Sequence, residues 1–147
     1  MNKLLFAALP LVMGCSIFGV EDDLGPFTFE IRDTEFGGHP SIGVFVATAK
    51  IFTCDEHLDG RVGADFEGRI VDIYGVASSG SPCTGYSAPA QFRGNVGDFP
   101  NGSFRLTFQH NGRYDAYTVT VTDTVIVVAP RLSRFTRPAA LRFPRPT

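Results

Sequence analysis

The densest group of reactive side chains in this 147-residue sequence is Cys54-Asp55-Glu56-His57-Leu58-Asp59-Gly60. Carboxylates at such short spacing, Asp55, Glu56 and Asp59, supply the oxygen donors that a weak calcium site uses, with a glycine to let the chain turn. The alternation and closing glutamate of an EF-hand loop are missing, so a solvated acidic loop is the simpler reading. The three histidines, His39, His57 and His110, lie in separate segments, none with a second histidine two or four residues on, and zinc has no support from spacing. Ser78, Ser79 and Ser81 sit in "ASSGSPC", which lacks the G-x-S-x-G elbow of a serine nucleophile. Hydrolysis by paired carboxylates would need two of the 15 acidic residues to converge, and no pair stands out, so a small hydrolase ranks below binding. Exposed aromatics are a further option: Tyr74, Tyr86 and Tyr114 could build a sugar or peptide platform, although the chain has no tryptophan. Cys15, Cys54 and Cys83 are the only thiols, open to pairing, modification or nucleophilic use.

Composition limits what these residues can be mounted on. Apolar residues make up 44% of the chain and charged ones 19%, enough for one domain with a real core and too apolar for a disordered chain. Sixteen glycines and ten prolines, with many Thr and Val, favour strands and turns over helices. Charge is unevenly placed. Residues 15–130 hold seven basic side chains against all 15 acidic ones, a net −8, while residues 131–147 carry five arginines and no acid. An acidic body argues against nucleic-acid binding, which needs a basic surface to neutralise phosphates.

The first residues explain one thiol. Lys3 precedes an apolar run from Leu4 to Met13, whose ten residues would span about 15 Å as a helix, half of a hydrocarbon core, so it reads as a secretory signal and not as a membrane anchor. Val12-Met13-Gly14-Cys15 follows, and this resembles the lipobox of bacterial lipoproteins. The resemblance covers the first 16 residues. It implies cleavage after residue 14, diacylation of the Cys15 thiol, and a lipid-anchored place in the bacterial cell envelope. Several acyl chains at about 0.8 kcal/mol per buried methylene make such attachment effectively permanent. Ser16, in place of an inner-membrane-retaining Asp, favours the outer membrane by the same resemblance. Export then places Cys54 and Cys83 in an oxidising compartment as a disulfide pair. Their bridge closes a loop of about 30 residues and is worth roughly 3–4 kcal/mol. A free nucleophilic cysteine beside a histidine is the alternative.

The elements that would position these residues read as follows. Residues 15–26 are a lipidated start and short acidic tether, with Glu21-Asp22-Asp23. A domain spans 27–130. It opens on "PFTFEIRD", where Phe27, Phe29 and Ile31 alternate with polar residues, a half-buried strand. "SIGVFVATAKIFTC" is apolar on both phases, as in a central strand covered on both sides or bent midway. Residues 55–63 and 77–88 are loops flanking the strand "ADFEGRIVDIYGVA", in which Gly68 marks a bulge or bend. Asn111-Gly112 between alternating runs signals a type I′ hairpin. Its register would place Phe108 opposite Asp115, Leu106 opposite Tyr117 and Phe104 opposite Val119, all on one face.

About seven strands with turns between them and no helical period predict an all-β fold, a single antiparallel β-sandwich. The phrase Asn101-Gly102-Ser103-Phe104-Arg105-Leu106 makes the body loosely similar to immunoglobulin-like bacterial surface domains, a likeness of architecture that carries over no functional residue. The 131–147 tail, rich in Arg and Pro, would be extended or disordered, with Leu132, Phe135, Leu141 and Phe143 able to dock. The whole predicts an envelope lipoprotein with no catalytic residue and no required cofactor, and a non-enzymatic binding or structural role. Its partners would be the membrane through Cys15 and an envelope protein, anionic lipid or lipopolysaccharide through Arg131, Arg134, Arg137, Arg142 and Arg145. A module binding sugar or calcium through the 55–63 and 77–88 loops is the alternative.

Overall fold

A computed structural model describes residues 24–98 and 100–146. Ten strands account for 72% of them: β1 (Phe27–Phe36), β2 (His39–Thr53), β3 (Glu56–Ala64), β4 (Gly68–Ser78), β5 (Ser87–Gly97), β6 (Gly102–His110), β7 (Arg113–Val121), β8 (Val125–Leu132), β9 (Thr136–Pro138) and β10 (Arg142–Pro144). They form two sheets, one of four strands in the order β5-β2-β1-β9 and one of six in the order β10-β8-β7-β6-β4-β3, packed as a sandwich.

The period-2 pattern of the sequence decides which faces meet. In β1, Phe27, Phe29 and Ile31 are buried while Thr28, Glu30 and Arg32 are exposed. The facing sheet contributes Phe104, Leu106 and Phe108 from β6 and Tyr117, Val119 and Val121 from β7. At the centre, Phe29 lies 4.5 Å from Phe108 and 4.9 Å from Tyr117 between ring centroids, tilted and edge-on, arrangements that ring quadrupoles favour. The β6–β7 hairpin turns at Asn111 (φ 48°) and Gly112 (φ 72°), and its register pairs His110 with Arg113, Phe108 with Asp115 and Phe104 with Val119, as the Asn-Gly signal predicts.

Three expectations change. Residues 56–63, expected as a polar loop, belong to edge strand β3, which pairs with β4 from Glu56–Ser78 to Ala64–Arg69. Only Leu58 and Val62 turn inward, and an edge strand tolerates the charges around them because one of its sides faces water. Second, the sheets are mixed. β4 runs parallel to β6 because the chain crosses to β5 in the other sheet and returns, and β1 runs parallel to β9. Gly68 starts β4 where the backbone presses on Arg105 of β6, leaving no space for a Cβ; its role is close approach. This strand order is not the four-plus-three arrangement of immunoglobulin domains.

Third, the segment after Pro130 is built into the sandwich. β8 runs on to Leu132, β9 adds to the four-stranded sheet and β10 to the six-stranded one. Phe135, Thr136 and Phe143 are buried, whereas Leu141 is exposed. A buried carboxylate fixes the turn between β8 and β9. Asp115, fully shielded from solvent, accepts from the backbone N–H groups of Arg134 (2.8 Å), Phe135 (2.9 Å) and Thr136 (2.7 Å) and from the Thr136 hydroxyl (2.7 Å). Beside it the Tyr117 hydroxyl donates to the Thr136 carbonyl at 2.8 Å. A buried charge persists only when it is hydrogen-bonded this fully.

Candidate functional site

The six-stranded sheet turns one face to solvent, and its register lays Arg61, Asp72, Gln109 and Tyr114 in one row across β3, β4, β6 and β7. Tyr74 follows two residues after Asp72 on the same face of β4. A groove of about 330 Å³ lies between Tyr74 and the β6–β7 hairpin, lined by Asp72, Gln109, Asn111, Arg113 and Tyr114. Both tyrosines are more than half exposed, Tyr74 at 54% and Tyr114 at 58%. Two rings reaching the same hollow from strands that are not neighbours in sequence are what a planar apolar ligand face needs.

The groove is held in shape from beneath. His110 is buried at its floor, its Nδ1–H donating to the Ile73 carbonyl at 2.8 Å, which leaves Nε2 to accept from the Asn111 amide at 3.4 Å. The His110 ring meets Phe27 edge-on at 5.1 Å. This histidine therefore ties the hairpin to β4 and to the core. Arg61 Nε donates to Asp72 Oδ2 at 2.9 Å and its guanidinium lies 6.0 Å from the Tyr74 ring, which links the β3 end of the row to Tyr74. Among the described residues, Asp72 Oδ1 has no partner and stays open to a ligand hydroxyl. Stacking rings beside amide, carboxylate and guanidinium groups can hold a polyhydroxylated ring. No activated nucleophile accompanies them.

The acidic cluster has other work. Asp55 accepts from Ser78 Oγ at 2.6 Å and Thr53 Oγ1 at 2.8 Å. Glu56 accepts from the Thr53 N–H at 2.9 Å and shares the one Thr53 hydroxyl proton with Asp55, its Oε2 lying 2.7 Å from that oxygen. The Ser78 hydrogen bond first, then that of Thr53, holds the Asp55 carboxyl below the ordinary aspartate value of 3.8. Asp59 points away on β3, opposite Gly75. Among the described residues no three His, Cys, Asp or Glu side chains converge as metal ligands.

Cys54 and Cys83 form a disulfide, with Cα atoms 5.8 Å apart, joining the β2–β3 turn to the long β4–β5 connection. Tyr86 lies there, with Ser79, Ser81 and Pro82 around a separate hollow, away from Tyr74 and Tyr114. Cys15 and the signal segment lie outside the described residues. Of the five late arginines, Arg145 is used internally: it donates to both oxygens of Asp33, at 2.8–3.1 Å, and to the Thr122 carbonyl at 2.7 Å. Arg131, Arg134, Arg137 and Arg142 are exposed.

Sequence reasoning named Tyr74 and Tyr114 but could not join them, because the parallel β4–β6 pairing that does so is non-local. It missed His110 as a floor and Asp115 as a clamp. The hairpin register held the signal for Asp115, a carboxylate on the phase of Phe104, Leu106 and Phe108. Comparison with known families, curated proteins and solved structures returned no match for this chain.

Proposed function

We propose that the chain is an exported bacterial envelope lipoprotein, anchored through acyl chains on Cys15, whose sandwich binds a glycan without transforming it. One observation carries the binding reading: Tyr74 and Tyr114, both more than half exposed, line one groove with Asp72, Gln109, Asn111 and Arg113. The lipobox resemblance supports the anchor. Titration of the full chain with neutral oligosaccharides from envelope polymers tests the groove. Saturable binding should be lost in Tyr74→Ala and Tyr114→Ala and kept in Tyr86→Ala; equal binding by all four proteins defeats it. The anchor is tested separately, by labelling cells with an alkyne-tagged fatty acid and comparing Cys15→Ser with the parent.

A second reading has its own support. Arg131, Arg134, Arg137 and Arg142 are exposed and, among the described residues, have no carboxylate within ion-pair distance. Four unneutralised guanidiniums spread from β8 through β9 to β10 suit an anionic partner such as lipid or lipopolysaccharide headgroups. Sedimentation with anionic vesicles should then fall with added salt and with substitution of all four by serine.

A further inference from the structure

The opposite face, on the four-stranded sheet, carries a second groove of about 370 Å³, within the range of small-molecule sites. We infer that it binds the carboxylate of an acidic sugar. Its centre is Phe45 on β2, with the Arg32 guanidinium 3.9 Å and the Arg93 guanidinium 5.2 Å from the ring centroid. The sheet register places Glu30, Phe45 and Arg93 in one row across β1, β2 and β5, and sets Arg32 opposite Gly43. Gly43 gives the ring its seat, since a Cβ there would come within 3.0 Å of Phe45 Cε2. Arg93 is oriented by a hydrogen bond to the Thr34 hydroxyl. Two cations from different strands are thus gathered on one ring by built geometry.

Their neighbours indicate the ligand. Among the described residues neither guanidinium has a carboxylate within ion-pair distance, although residues 15–130 carry a net −8 and Glu30 sits two positions from Arg32 on the same face. Stacked guanidiniums keep their N–H edges for a planar oxyanion. The charged side chains lining the groove sum to one positive charge, which matches a monoanionic carboxylate and disfavours a phosphate dianion beside Glu30. Glu30, Gln91 and Thr28 add the acceptors and donors that hydroxyl groups require. A hexuronate combines these features.

Amide-resonance NMR titration of the full chain with D-glucuronate tests this, with D-glucose and inorganic phosphate as comparisons. Glucuronate should shift resonances at residues 30–32, 43–47 and 91–93. Arg32→Gln or Arg93→Gln should weaken it about tenfold, the loss of one charge-assisted hydrogen-bonded pair, in proteins whose remaining resonances are unmoved. Tyr74→Ala and Tyr114→Ala should leave this site unchanged, so its success or failure is separate from that of the other groove. Absence of glucuronate shifts, equal shifts with glucose, tighter binding of phosphate, or unaltered affinity in both arginine variants would each overturn the assignment.

Discussion

Asp115 is a single side chain on which the end of the chain depends. Its four donors come from three consecutive residues, so replacing the carboxylate strips four hydrogen bonds from one turn. Asp115→Ala should cost about 3–5 kcal/mol, since unmet buried donors cost roughly 1–3 kcal/mol each, and chemical denaturation checks it. Carboxylates at the surface act differently. Asp65 is also held below 3.8, by the Glu67 N–H first, with partial burial opposing it and Arg105 and the Gly68 N–H reinforcing it, and Asp55 is held below 3.8 by Ser78 and then Thr53. Both pKa values are depressed on folding, so their stabilising effect is complete above the ordinary aspartate range and disappears as pH falls through the lower folded values. Melting temperature should therefore decline below about pH 4. The decline should be shallower in an Asp55→Asn, Asp65→Asn double variant, and parallel profiles would refute the attribution.

At the scale of elements, β9 and β10 are only three residues each, yet Phe135, just before β9, and Phe143, within β10, cover the core edge. Ending the chain after Pro130 removes both, uncovers Asp115 and should abolish the cooperative thermal transition. Partner assays therefore need arginine point variants in place of truncation. The disulfide ties together segments 29 residues apart, and its reduction should lower stability by about 3–4 kcal/mol, measured by denaturation with and without reductant. These elements also show what could be read in advance. The strands β1, β6 and β7 were legible because their alternation is strong and the Asn-Gly turn fixes a register, and β2 was legible as a long run apolar on both phases. β3 was not, because "DEHLDGRVG" has just two inward apolar residues and an edge strand hides its period under charge. β9 and β10 escaped notice because three residues carry no period at all, and their pairing partners lie as far as 109 positions away, as with Phe27 and Thr136.

For the whole molecule, the two ends of the sandwich differ. At one, Phe27 meets His110 and Phe135, and Arg113 lies 5.3 Å from the Phe135 ring. The twelve residue steps from Cys15 to Phe27 reach at most about 40 Å from that end. At the other, Arg145 joins Asp33 and Thr122, and the hairpin tips carry Phe36 and Phe66, exposed at 61% and 95%. On the proposed anchor at Cys15, the tether would join the sandwich at its Phe27 end, with Phe36 and Phe66 at the opposite end and the two grooves on opposite sheets. Neither groove could be read from the sequence, because each is assembled by strand neighbours that are far apart in the chain.

The parallel pairing of β1 with β9 has a consequence in time. A polypeptide threaded through a translocation pore amino end first releases Phe27 early and Thr136 almost last. Neither sheet can acquire its final border strand until the last dozen residues have emerged. On the proposed export route, maturation of this fold would be deferred to the far side of the pore, where an oxidising compartment would also close the cysteine pair.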